Sequence, residues 1–410
     1  MAKKLLIIGF VWPEPKSSAA GSRMMQLIEA FQSFGYDITF ASACAKTDNA
    51  FDLKRIGIRT ETLQLNHHSF DDFIKHLQPD AVLFDRFMTE EQFGWRVAEQ
   101  CPNAIRILDT EDLHFLRKGR QQALKDGKLF DDTYLYNDYT KREIASIYRS
   151  DLSLIISEEE LYILAGEFEI SHDLLLYLPF MLESIPEDWA EQLPTFEERN
   201  HFITIGNFLH EPNYDAVRYL KETIWPLIRK QLPTAELHIY GAYAHQKALK
   251  LNNIKEGFIV EGFTEDVNEV MKSTRVCLAP LRFGAGLKGK LVDAMQNGAP
   301  CVMTSIAAEG MFKAFETPRF VIDNPQEFAN KAVELYQNST LWNEYQAYGF
   351  QVISTRFDKV LYQRELLSKV TTISEELQKH RQENFIGQLL QHHTLQSTKY
   401  MSKWIEAKNK

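Results

Sequence analysis

Short apolar runs recur along the chain, each followed by a stretch with helical spacing. Leu5–Ile8 has the pattern of a buried strand. After Ser22, a candidate helix cap, Met24, Met25, Leu27, Ile28 and Phe31 fall on one helical face, and Gly35 ends that helix. Ile38–Phe40, Ile58–Leu65 and Ala81–Phe84 (behind Pro79) read as the next strands. Thr89-Glu-Glu-Gln92 has capping-box spacing and opens a helix to about Cys101. Ile105–Leu108, Leu152–Ile156 and Leu174–Leu178 continue the alternation.

The rhythm breaks over residues 183–200, which hold Pro186, Pro194 and dense acidic side chains and read as a linker. It then restarts with strand His201–Ile205 and a helix over Asn213–Gln231 capped by Asn213. Strands Glu236–Tyr240, Phe258–Val260, Val276–Ala279, Cys301–Thr304 and Phe320–Ile322 follow. Two series of strands alternating with helices predict two Rossmann-like, doubly wound α/β domains with parallel sheets. The domain map is 1–182, linker 183–200, 201–353, and a polar helical segment 354–410 crossing back to the first domain. Such domains meet at a central cleft between the carboxyl ends of their strands, so the loops after strands carry the chemistry.

Composition narrows the reading. With 46 Lys+Arg against 56 Asp+Glu the net charge is -10, which argues against nucleic acid as a partner. No stretch approaches the ~20 apolar residues of a membrane span. The four-residue run at Leu5–Ile8 is too short for a secretory signal. Cys44, Cys101, Cys277 and Cys301 are scattered, as buried thiols of a cytoplasmic protein would be. The adjacent pairs His67-His68 and His392-His393 cannot chelate one metal from regular structure, so no metal is expected.

The most informative segment runs Pro280-Leu-Arg282-Phe-Gly284-Ala-Gly286-Leu-Lys288-Gly289-Lys290-Leu-Val-Asp293 between a strand and a helix. Glycines let backbone approach a ligand, and a helix start favours an anion. Arg282, Lys288 and Lys290 add positive charge, and Asp293 is placed for ribose hydroxyls. The chemistry is that of a phosphate or diphosphate site; the plain alternative is a tight strand–helix connection with solvated cations. The spacing is not that of a Walker P-loop.

This segment resembles the nucleotide-binding domain of glycosyltransferase family 4, with GT-B architecture. So do Ile205-Gly-Asn207-Phe-Leu-His210-Glu-Pro-Asn213, Ile224-Trp-Pro226, Ala235–Gly241, Val260-Glu-Gly-Phe263 and Ala308-Glu309-Gly-Met311. Pro13–Arg23 and Leu108-Asp109-Thr-Glu-Asp112-Leu-His114 match more loosely, and the resemblance covers roughly residues 3–370. It implies transfer of a sugar from a UDP- or GDP-type nucleotide-sugar with retention of configuration and no metal or other cofactor, in polysaccharide assembly. The first domain would bind a glycan, lipid-linked or protein acceptor, with at most peripheral contact at the inner face of the membrane.

Residue by residue, Arg282, Lys288 and Lys290 would neutralise the diphosphate, while Gly284, Gly286 and Leu287 would offer backbone to it. Asp293 matches the second Glu of the family's Glu-x7-Glu motif; the first falls on Ala285. His114 and Asp112 are the catalytic-region candidates and Asp109 is placed for an acceptor hydroxyl, although helix caps explain such residues too. Gly21 and Ser22 would supply amides beneath the phosphates, or simply cap a helix. Asn207 and His210 would lie by the base or phosphate, and Glu309 would reach the nucleotide. A sugar-nucleotide epimerase or phosphorylase, or a non-catalytic binder lacking the motif Glu at Ala285, would use the same frame. The tail holds Leu389, Leu390, Tyr400, Met401, Trp404 and Ile405 among Lys399, Lys403, Lys408 and Lys410; it reads as packing on the protein or as a weakly basic amphipathic helix.

Overall fold

The computed structural model describes residues 2–312, 315 and 317–392, with positions 397, 400, 404 and 408 beyond them. Seven strands form the first sheet: β1 (Lys4–Gly9), β2 (Asp37–Ser42), β3 (Arg59–Thr62), β4 (Ala81–Asp85), β5 (Ile105–Asp109), β6 (Leu152–Ile155) and β7 (Leu175–Tyr177). Their order is β3-β2-β1-β4-β5-β6-β7 and every pairing is parallel. The second sheet holds β8 (Asn200–Ile205), β9 (Leu237–Tyr240), β10 (Phe258–Gly262), β11 (Thr274–Ala279) and β12 (Cys301–Met303), in the order β10-β9-β8-β11-β12, also parallel. Two Rossmann-like domains are present.

The continuous apolar runs follow from burial on both faces of each sheet. Leu5 and Ile7 join one hydrophobic cluster and Leu6 and Ile8 the other. In β11, Val276 and Leu278 face one layer while Cys277 and Ala279 face the opposite one. Strand order reverses at β1, between β2 and β4, and at β8, between β9 and β11. The crevices at those two points open into one cleft, where ligands of such sheets bind.

The chain crosses between domains twice. Leu182 N–H donates to the Phe357 carbonyl and Lys359 N–H to the Leu182 carbonyl, so the crossings run side by side. Beyond them, the helix Lys359–Glu375 buries Tyr362, Leu366, Val370 and Ile373 in the cluster that holds Leu5 and Ile7. The C-terminal helices thus pack on the first domain. The helix Phe385–His392 lies close on it, because a Cβ at Gly387 would stand 2.2 Å from the Tyr148 carbonyl oxygen. Leu389 is exposed on this helix. Met401, Ile405, Lys399, Lys403 and Lys410 lie outside the described residues, as does His393.

Several local expectations are corrected. Ser18, not Ser22, caps the helix Ala19–Ser33 by accepting from Gly21 N–H, while Ser22 donates to the Pro15 carbonyl. Thr89 is no cap: the helix begins at Phe87, and the Thr89 hydroxyl donates to the carbonyls of Asp85 and Arg86. The strand expected at Phe320–Ile322 is reduced to one bridge, Met303 to Val321, since Asn324 and Pro325 start a helix immediately afterwards. Cys44 is exposed, and only the other three cysteines are buried.

Arg23 ties the first helix to the sheet. It is fully buried, pairs with Asp109 at the end of β5 at 2.9 Å, and donates to the carbonyls of Leu178 and Pro179. Arg23→Ala leaves Asp109 as an uncompensated buried charge, which costs about 3–5 kcal/mol. A downward shift of the chemical-denaturation midpoint with the slope unchanged is the expected result.

Candidate active site

The two crevices merge into a cavity of about 1080 Å³. Loops after β1, β4 and β5 form one wall and loops after β8, β9, β10 and β11 the other. Two helix starts meet across it: the helix Gly289–Gln296 begins where a Cβ on Gly289 would be 2.6 Å from Ala19 Cβ, at the start of the helix Ala19–Ser33. Lys288, at the cap position of the former helix, makes no side-chain cap bond, so its first amides are left for a ligand. Facing helix starts concentrate positive potential at one place in the cleft.

Lys288 and Lys290 lie there, both buried. Lys288 Nζ donates to the carbonyls of Ala285 and Gly286 (3.0 and 2.6 Å), and Lys290 Nζ to Asn213 Oδ1 (2.9 Å). Neither forms an ion pair among the described residues. Burial holds each ammonium at about 8, well below an ordinary lysine. Asp293, on the same helix, lines the cavity, and burial raises its carboxyl to about 7 against the pull of Lys290. Two buried cations without carboxylate partners form a ready site for an anion.

The structure brings Gly21, Asn207, Gly284, Gly286, Leu287, Lys288, Lys290, Asp293, Asp112 and His114 to the cavity. It does not bring Arg282 or Glu309 there. Arg282 turns back onto the helix Glu211–Tyr219, pairing with Asp215 through two nitrogens and stacking 4.8 Å over Tyr219. Glu309 is held by Arg120 through a two-point pair at 2.7 Å. Three expected amides are occupied as well: Gly21 N–H serves the Ser18 cap, Ser22 N–H donates to the Ser18 carbonyl, and Gly286 N–H donates to Glu160 at 2.9 Å. Asn213 is not a helix cap, because Pro212 sits in the first turn and the helix starts at Glu211. Its side chain instead donates to the Asn207 carbonyl while accepting from Lys290.

The Gly284–Gly286 turn is gripped by the first domain. Arg120 donates to the Gly284 carbonyl at 2.8 Å, and Glu160, raised to about 8 by burial, takes Gly286 N–H together with Leu113 N–H. Ala285, between them, is buried in the apolar cluster of the first domain. Gly286 has φ +65°, and a Cβ there would stand 3.0 Å from Asp112 Cβ.

On the first-domain wall, Asp112 pairs with Arg117, which holds its carboxyl well below the usual range. His114 Nε2 lies 3.5 Å from Asp112, yet burial holds its ring at about 3, so it is a neutral hydrogen-bonding group at neutral pH. His210 is held at about 4 by burial. Asp109, sealed under Arg23, is not free for an acceptor. Glu111 was passed over in the sequence because Asp109, Glu111 and Asp112 look alike there; it lines the cavity with its carboxyl at about 8, pushed up by burial and by Asp109. Tyr243, also missed, donates to Glu14 across the cleft at 2.8 Å.

Comparison with known proteins fits this geometry. Residues 199–338 match the family model for glycosyl transferases group 1. The second domain is thus similar to the group 1 glycosyl transferases. S. aureus TarM in complex with Fondaparinux, alpha-GlcNAc-glycerol and UDP is similar at TM-score 0.67, with 11% identity over 90% of this chain and 99% of that one. The pneumococcal O-GlcNAc transferase GtfA in complex with UDP and GlcNAc aligns at TM-score 0.65, with 13% identity, covering 92% and 99%. A Klebsiella pneumoniae protein described as an uncharacterized 44.6 kDa protein in the cps region is 20% identical over 394 residues, 87% of this chain and 96% of its own. The frame is GT-B, and the enzyme class supported is glycosyltransferase. Among the described residues no cluster of metal-ligating side chains occurs and no helix is long and apolar enough to cross a membrane.

Binding of an anion needs both lysines protonated, and in the free protein they lose their protons as pH rises past about 8. Inorganic pyrophosphate, followed by calorimetry, therefore binds more weakly as pH goes from 7 to 9. In a Lys288→Met/Lys290→Met variant, binding is weak throughout and that decline disappears.

Proposed function

We propose that the chain transfers a sugar from a UDP- or GDP-type nucleotide-sugar to a hydroxyl of a glycan, lipid-linked or protein acceptor, with retention of configuration and without a metal. The observation that carries the reading is the pair of buried ammonium groups of Lys288 and Lys290, neither in an ion pair among the described residues, at the meeting of two helix starts. The diphosphate leaving group gains charge as the glycosidic bond breaks, and fixed cations and amides already aimed at that position stabilise it without reorganisation. Asp293 lies one helical turn further along, within the same cavity, and serves the ribose.

The family-model match over the second domain supports the class, and the UDP held by TarM and by GtfA favours a uridine donor. The cps-region description of the Klebsiella relative agrees with a role in surface polysaccharide assembly. Contacts to the donor sugar differ from the Glu-x7-Glu arrangement, because Ala285 is packed against the first domain. His114, neutral and at the cavity wall, is placed to bond a sugar hydroxyl, with Asp112 orienting its ring.

UDP or GDP at a hundred times its dissociation constant stabilises the folded chain by about 2.7 kcal/mol, which raises Tm by about 3 °C. The Lys288→Ala/Lys290→Ala variant keeps its fold and loses that rise. A thermal scan in which neither nucleotide moves the wild-type transition ends the proposal.

A further inference from the structure

On the assumption that the glycosyltransferase reading holds, we infer that Glu111, with Phe10, Arg86 and Met88 around it, forms the acceptor subsite, and that Glu111 receives the hydroxyl to be glycosylated. The argument begins with carboxylates. Those near this rim of the first domain are already committed: Asp85 accepts from Phe10 N–H and pairs with Arg86, Asp109 holds Arg23, Asp112 holds Arg117, and Glu143 takes the amides of His114 and Phe115. Glu111 lines the same cavity and, among the described residues, makes no side-chain hydrogen bond or ion pair. A carboxyl left open in a cleft is an acceptor in search of a donor.

Backbone strain points the same way. Glu111 has φ +63° and Arg86 has φ +69°, both in the left-handed region that non-glycine residues avoid. Their loops are tied together, since Arg86 N–H donates to the Asp109 carbonyl and Thr110 N–H and hydroxyl both reach the Leu154 carbonyl. Rigid β4–β5–β6 pairing thus holds Glu111 in a costly conformation, of a kind that persists where it serves a site.

Position selects the substrate component. The Glu111 carbonyl oxygen would be 3.5 Å from a Cβ on Gly286, so Glu111 adjoins the glycine-rich turn, where the transferred sugar must lie. Away from that turn, Phe10 is exposed and the Arg86 guanidinium stacks 5.5 Å from its ring. Half-buried Met88 lines the same cavity. That combination suits a polyhydroxy acceptor such as a sugar ring, whose C–H face rests on apolar surface while its hydroxyl groups reach charged partners.

The test uses the full chain with UDP alone, UDP-GlcNAc and UDP-glucose as donors, and glycerol as a minimal polyol acceptor. Glu111→Gln exchanges the carboxyl for an amide of the same shape; Glu111→Gly removes the side chain while accepting the left-handed backbone, which separates chemistry from strain. Both variants should bind UDP and the donor used within about twofold of wild type, while kcat/KM for glycerol falls about 10-fold, the loss expected for one hydrogen bond. Unchanged transfer to glycerol overturns the inference. So does weaker binding of the nucleotide-sugar with UDP affinity intact, which would assign Glu111 to the donor. A wild-type chain that binds UDP but consumes neither donor with glycerol present has no acceptor subsite here. A wild-type chain that binds neither UDP nor GDP instead removes the glycosyltransferase reading itself.

Discussion

Enclosing two ammonium groups with no direct ion pair among the described residues is the constraint around which the cleft is built. Desolvation of a lysine is expensive, and carbonyl oxygens only partly offset it. Lys288 and Lys290 have the carbonyls of Ala285 and Gly286 and the amide oxygen of Asn213, and their lowered proton affinity records the remaining deficit. An incoming dianion removes that deficit, so the empty site is poised for it. The uncapped start of the helix Gly289–Gln296 has the same unfinished character. A structural purpose would have supplied acidic partners, as it does for Arg23 and Arg120.

The first domain acts on this site as a frame and a clasp. Paired charges (Arg23 with Asp109, Arg117 with Asp112, Arg149 with Glu90) hold its loops against the sheet. From that frame Arg120 and Glu160 reach across to the carbonyl of Gly284 and the amide of Gly286. Ala285 between them belongs to the apolar core of the opposite domain. A glutamate at that position would have to desolvate its carboxylate against leucines and phenylalanines, so the alanine is part of how the domains close.

Much of this was legible in the chain. Unbroken apolar runs alternating with amphipathic stretches specified parallel sheets, because only strands covered on both faces lack a polar side. The glycine-rich turn, Lys288, Lys290 and Asp293 were readable because their spacing alone places them at a helix start. Arg282 and Glu309 were misplaced because their direction depends on partners distant in sequence, Asp215 and Arg120. Among Asp109, Glu111 and Asp112 no sequence signal separates the carboxylates in ion pairs from the one left open. Only the arrival of Arg23 and Arg117 does so. Cap assignments failed at Ser22, Thr89 and Asn213 for a related reason: a hydroxyl or amide near a helix start has several backbone groups within reach, and the loop geometry chooses.

The doubled connection at Leu182 and Phe357 has a mechanical consequence. Two chain segments joined by backbone hydrogen bonds resist sliding far more than bending, so they behave as the pin of a door. A swing of the domains about that line would strain it less than a shear across it. When they part, the grips of Arg120 and Glu160 on the glycine turn and the bond between Tyr243 and Glu14 must all yield in one motion. A ligand entering by such a swing would have to break those three contacts together.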